Sequence, residues 1–170
     1  MIAPPSLDDY GRERALSRTR EPSLLGFAGT DVHDRPQWLE SNAASAWRRM
    51  QRAAARDGVT LQLVSAFRSI AYQSGIVARK LGRGQSLDEI LRVNAAPGYS
   101  EHHTGRALDL TTPGFPGLEE AFEESPAFAW LRANAHRFGF TLSYPRDNPH
   151  GIAYEPWHWR FDAATASRLA

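Results

Sequence analysis

The stretch Ser100–Leu110, SEHHTGRALDL, decides how this chain is read. Along Arg106–Thr111 (RALDLT) the residues alternate as a strand should: Ala107, Asp109 and Thr111 go to one face, Leu108 and Leu110 to the other. The leucine face wants the core, so Asp109 points the opposite way, beside a small Ala107 that leaves room for a close neighbour. A carboxylate in the middle of a strand needs a partner. His102 lies seven residues earlier, just before Gly105, where a turn can bring its imidazole back over the strand.

A second stretch, Tyr154–Phe161 (YEPWHWRF), carries Glu155 and His158. Three residues apart, they face opposite ways in a regular strand. Pro156 removes a ladder donor and holds Glu155 extended, so a kink or bulge lets both face one site. Two histidines and an aspartate on a rigid sheet make a three-ligand site with an open fourth position. That is the arrangement of catalytic zinc, which lowers the pKa of bound water to about 7. Glu155 is then the nearby carboxylate that takes the water's proton.

Working outward, residues 1–35 are polar, punctuated by proline and without sustained period, and read as an extended arm packed on the domain of residues 36–170. From Pro36 to Asp57, Trp38, Leu39, Ala43, Ala46, Trp47, Met50, Ala53 and Ala54 recur at helical spacing, and Gly58 stops the run. Thr60–Phe67 reads as a strand and Ser69–Leu81 as a helix. Ser86 and Glu89 form a capping box that starts a short helix ending before Pro97-Gly98. Ser125-Pro126 opens a helix that runs to Phe138, with Gly139 as its stop. Phe140–Tyr144 and Tyr154–Phe161 are strands, and Asp162–Ala170 closes the chain as a helix. Helices and strands intersperse without repeated βαβ units, so the expected fold is α+β: a small antiparallel sheet flanked by helices.

The whole composition fits one domain. The chain has 170 residues, 20 Lys+Arg against 19 Asp+Glu, and no cysteine. Near-neutral charge argues against a nucleic-acid partner. No run of about 18 apolar residues exists to span a membrane. Without cysteine, thiolate zinc sites and cysteine nucleophiles are excluded, so any metal must be held by histidine and carboxylate. The first residues, Met1–Pro5, lack the charged and apolar regions of a secretory signal.

The pattern Ser100-x-His102-x-x-Gly105-x-Ala107-x-Asp109, followed by Glu155-Pro-Trp-His158, resembles the signature of the LAS metallopeptidases. That superfamily comprises lysostaphin, D-Ala-D-Ala peptidases and the hedgehog amino-terminal domain. Within it the likeness is to the vancomycin-resistance-type D-alanyl-D-alanine carboxypeptidases. Their SGYRS…Q stretch has its counterpart in Ser65–Ser69 followed by Gln73. Their PGxSEH and YEPWH blocks match Pro97–His102 and Tyr154–His158. These blocks, in the same order, cover about residues 60–162. The chain departs from the usual pattern at Ala66, Phe67 and His103.

The resemblance implies a hedgehog/D-Ala-D-Ala-peptidase-like fold and one zinc ion held by His102, Asp109 and His158. It makes Glu155 general base and then general acid, and sets Arg68 beside the scissile carbonyl to stabilise the oxyanion. Ser100 and Gln73 bind the peptide, while Tyr154 and Trp157 shape the pocket wall. The substrate it implies is a peptidoglycan stem peptide losing its C-terminal D-alanine (D,D- or L,D-), acted on by a monomer in the cell envelope or periplasm. An endopeptidase of the same superfamily and a non-catalytic zinc-containing muropeptide-binding module are the alternatives. His103 is the rival to His102 as ligand, and the resemblance favours His102. His33, His136 and His150 match no motif and read as surface or satisfied polar residues. Trp157 and Trp159 flank His158, and either can be a core aromatic. Glu101 reads as a solvated acid, and Arg48, Arg49 and Arg52 as the polar face of the long helix.

Overall fold

In the computed structural model, which describes residues 7–167, four short strands make the central sheet: β3 (Gln62–Ser65), β4 (Ala107–Thr111), β5 (Phe140–Leu142) and β6 (His158–Phe161). Their spatial order is β3-β4-β6-β5 and every pairing is antiparallel. All five residues of β4 are buried, because strands cover both its edges. Leu108 and Leu110 on one face of β4 join Trp159 and Phe161 of β6 in the main core. The opposite face carries Ala107 and Asp109, with Arg160 and His158 directly across. The alternation expected for RALDLT is thus the alternation observed, and the fold is the expected α+β arrangement.

Against the core face packs α2 (Ser41–Arg56), whose Ala43, Ala46, Trp47, Met50 and Ala54 are buried. Glu40 caps it, its carboxylate accepting from the amides of Asn42 and Ala43. The indole of Trp47 donates to the Ala28 carbonyl at 3.0 Å. Beyond β3, α3 (Ile70–Gly82) starts at Ser69, whose hydroxyl accepts from the Tyr72 amide. α4 (Leu87–Arg92) opens with the Ser86–Glu89 capping box in full. α5 (Pro126–Asn134) continues as a 3-10 turn over Ala135–Phe138 and ends at Gly139, whose φ of 82° lies in the left-handed region.

Three sequence-based boundaries need correction. The helix expected from Pro36 begins only at Ser41, because Pro36–Glu40 is strand β2, hairpinned to β1 (Leu25–Thr30). Trp38 and Leu39 fall on helical spacing by coincidence: Trp38 lies against Phe27 across the hairpin, and only Leu39 is core. The amino-terminal segment is correspondingly more than an extended arm. It holds α1 (Leu7–Glu13) and β1, whose single buried residue, Ala28, and register shift between Phe27 and Gly29 leave no alternation to read. Finally, the last strand begins at His158 rather than Tyr154. The closing helix α6 spans Ala163–Ser167, and the rest of that expectation lies outside the described residues.

Candidate metal centre and active site

Asp109 and His158 are direct cross-strand partners, and their side chains meet with His158 Nδ1 3.0 Å from Asp109 Oδ1. His102 arrives from a 3-10 turn, Glu101–Thr104, capped at one end by the Ser100 hydroxyl and closed at the other by Gly105 at φ 65°. A side chain at Gly105 would collide with the backbone of Glu40. Only glycine therefore lets the turn seat against the start of α2.

The His102 ring is oriented from behind. Its Nδ1 lies 2.6 Å from the Ala66 carbonyl, an acceptor only, so Nδ1 carries the hydrogen and Nε2 is a bare lone pair. That lone pair sits 3.2 Å from Asp109 Oδ2, fully buried and without a hydrogen-bond partner. Two acceptors face each other at that distance, an arrangement that a cation satisfies. One ligand atom from each of His102, Asp109 and His158 lies within 4.8 Å of the others. The donor set, two imidazoles and a carboxylate, is that of three-ligand catalytic zinc sites.

His103, the rival ligand, points elsewhere. Its Nδ1 lies 2.6 Å from the Arg68 carbonyl, and Arg68 N donates to His102 O, so the turn and the Arg68 segment are tied together twice. Glu155, Pro156, Trp157 and His158 form a turn closed by His158 N–H to Glu155 O at 3.1 Å, with proline in its favoured second position. This turn is the kink that brings Glu155 and His158 to one site. A Glu155 oxygen lies 3.6 Å from His158 Nδ1.

Burial governs the electrostatics. Burial, reinforced by Asp109 against the pull of His158, raises Glu155 to about 7. Burial and the nearby Arg68 charge lower His102 to about 4. For His158 burial acts downward, but hydrogen bonds to Asp109 and Glu101 override it and push the ring up to about 10. The two histidine neighbours hold Asp109 below the usual carboxylate range in spite of its burial. A carboxyl titrating near neutrality beside this group of histidine and aspartate side chains is suited to moving protons at physiological pH.

A cavity of about 290 Å³, open to solvent, lies over this group, lined by Arg68, Gln73, Ser100, Tyr144, Glu155 and Trp157 among others. A wider groove of about 710 Å³ meets it at Arg68 and Asp109. Gln73 is buried on α3, its Nε2 donating to Ala95 O and its Oε1 without a partner. Arg68 Nε is likewise a buried donor with no acceptor. Trp157 lines the cavity, whereas Trp159 is core, its indole donating to Pro156 O. Tyr154 does not line either hollow: its hydroxyl donates to Glu123 and its ring lies under Arg146. The aromatic that joins Trp157 in the wall is Tyr144, tilted against the His158 ring at 4.7 Å, which the sequence offered only as the end of a strand before Pro145. His33 and His136 are exposed, and His150 Nδ1 pairs with Arg14 O.

Glu101 is not a solvated acid. Its side chain is 17% exposed, with one oxygen 2.9 Å from His158 Nε2. A carboxylate next to His102 in a one-turn helix was the available signal.

The model of the VanY family, D-alanyl-D-alanine carboxypeptidase, matches residues 36–164. The chain belongs to that family. VanY-family likeness extends to YodJ of Bacillus subtilis strain 168, whose carboxypeptidase name is provisional. The two are 33% identical over 93% of this chain and 60% of YodJ. The bifunctional D-Ala-D-Ala dipeptidase and carboxypeptidase VanXYC of Enterococcus gallinarum is 30% identical over 92% of this chain and 83% of its own length. Among solved structures, the LD-carboxypeptidase LdcB superposes with a TM-score of 0.77 at 30% identity, covering 89% of this chain and 74% of LdcB. A VanY D,D-pentapeptidase variant solved with Zn(II) superposes with a TM-score of 0.64 at 25% identity over 91% and 90% of the two chains. This chain therefore spans less than two thirds of YodJ and most of the others named.

Proposed function

We propose that the protein is a zinc-dependent carboxypeptidase that removes the C-terminal D-alanine from peptidoglycan stem peptides in the cell envelope. The observation that carries this reading is the orphaned His102 Nε2, converging with Asp109 and His158 on one point beside the neutral-range carboxyl of Glu155. His102, through Nε2, Asp109 and His158, through Nδ1, would hold the ion. Bound zinc supplies a Lewis acid and an open position in which the pKa of water falls to about 7.

The chain's own groups do the rest. Glu155 takes a proton from the attacking water as its oxygen adds to the carbonyl carbon before the last residue. Arg68 offers its unpaired donor to the oxygen that gains charge, a guanidinium fork being always protonated. As the C–N bond breaks, Glu155 returns the proton to the amine of the departing D-alanine. Gln73, whose Oε1 has no partner, and Ser100 line the same cavity and are the candidates to hold the peptide. The pairing of a smaller cavity of about 290 Å³ with a wider groove of about 710 Å³ suits a short leaving residue on one side and a longer chain on the other. That shape favours the carboxypeptidase over an endopeptidase.

The test is incubation of the purified protein with defined pentapeptide and tetrapeptide muropeptides, followed by mass spectrometry. Release of free D-alanine that a chelator abolishes and zinc restores is expected. Cleavage within the stem, or binding without turnover, refutes the reading.

A further inference from the structure

Glu101 has no task in the proposed reaction, yet it is held from both sides. Its Oε2 lies 2.9 Å from His158 Nε2, its Oε1 lies 3.7 Å from Arg160 Nε, and Ser143 also bonds to it. Glu101 is not in the ligand group: the two nitrogens of an imidazole point in divergent directions, and the edge of His158 that meets Asp109 is the other one. A neutral imidazole carries one hydrogen, and the nitrogen that carries it cannot bind a metal.

Resting on the reading that His102, Asp109 and His158 hold the ion, we propose that Glu101 is a positioning residue. It accepts the Nε2 hydrogen of His158, so that Nδ1 presents a lone pair to the metal and the ring cannot rotate away. His102 is treated in the mirror sense. The Ala66 carbonyl takes its Nδ1 hydrogen and leaves Nε2 bare. The two histidines thus present opposite nitrogens, each selected by an acceptor behind the ring. Carboxylate acceptors behind metal-bound histidine raise ligand basicity and fix the tautomer. Arg160 sits directly across β4 from Ala107 and is partly exposed, which leaves it free to steady the second oxygen of Glu101. One 3-10 turn, Glu101–Thr104, therefore delivers a ligand, His102, and the orienter of another.

The experiment compares the full chain with Glu101→Ala and Glu101→Gln. Zinc affinity is measured by competition with a chromophoric chelator, with no reliance on turnover. Glu101→Ala is expected to weaken zinc binding by roughly 10–100-fold, while Glu101→Gln, whose amide oxygen still accepts from Nε2, loses much less. In the ¹¹³Cd-loaded, ¹⁵N-histidine-labelled wild type, cadmium couples to Nδ1 of His158, and the Nε2 hydrogen is protected from exchange. In Glu101→Ala that protection is lost. Wild-type zinc affinity in Glu101→Ala, or cadmium coupled to His158 Nε2 in the wild type, overturns the proposal. If Glu101→Ala does not fold, Glu101→Gln decides: a protected Nε2 hydrogen supports the proposal, and an unprotected one overturns it. A wild type that takes up no zinc would refute the proposed function itself, which keeps the two failures apart.

Discussion

Replacing Glu155 by glutamine keeps the shape of the side chain and removes its proton chemistry. In the metal-free protein, burial raises this carboxyl from 4.5 to about 7. Between those values the unfolded chain has released a proton that the folded protein keeps. Stability contributed at this site is therefore intact below about pH 4.5 and declines as pH climbs to about 7. At about 1.4 kcal/mol per pH unit, the loss above neutrality is on the order of 3 kcal/mol. Solvent screens little of it, since the side chain is 14% exposed. Metal-free Glu155→Gln is thus expected to be more stable than wild type by about 2–3 kcal/mol near pH 8, with the gap closing near pH 4. Urea unfolding at both pH values reads the difference. With zinc restored, the same variant should keep its metal and lose roughly 10²–10⁴-fold in kcat/KM on D-Ala-terminated peptides, or about 3–5 kcal/mol in the barrier. No stabilisation near pH 8 refutes the buried-carboxyl reasoning, and wild-type turnover refutes the general base.

Three further outcomes are open to measurement. Asp109 and Glu101 override burial to hold His158 at about 10, so the metal-free ring is protonated at neutral pH and zinc uptake displaces about one proton from it. Calorimetry in buffers of different ionisation enthalpy counts that proton, and His158→Ala should both abolish its release and lose most of the bound zinc. Arg68→Lys leaves fold and zinc content intact but lowers kcat by roughly 10²–10³-fold, because an ammonium cannot reproduce the guanidinium fork; steady-state kinetics checks this. Trp47→Ala removes a fully buried indole and its bond to Ala28 O, at a cost of about 3–5 kcal/mol by denaturant unfolding.

The parts of the structure legible in the sequence are those whose reasons are local. Alternation in RALDLT assigned the faces of β4 because that strand is regular and paired on both sides. Capping residues marked the starts of α4 and α5 because a hydroxyl must meet an unsatisfied amide there. The side chains of His102, Asp109 and His158 converge, as the reading of their two blocks expected. What escaped depends on contacts distant in sequence. Glu101 looks solvated until β6 lays His158 across it. Tyr154 and Tyr144 exchange the expected place in the wall because the turn at Pro156 sends Tyr154 outward to Glu123. The β1–β2 hairpin leaves no period because most of its residues touch solvent on at least one side.

That hairpin has a bearing on where the chain can be cut. Trp38 O accepts from Phe67 N, the Gln37 side chain accepts from Ala66 N, and Val32 N donates to Leu63 O. These bonds brace the segment whose Ala66 carbonyl orients His102 and which ends in Arg68. Glu40 N donates to Gly105 O, bracing the far end of the histidine turn as well. A fragment beginning at residue 41 would retain His102, Asp109, His158, Glu155 and Arg68, yet these groups would rest on an unsupported shelf. The smallest excisable unit of this chemistry therefore starts before Leu25, sixteen residues upstream of the long helix that might have been taken for its beginning.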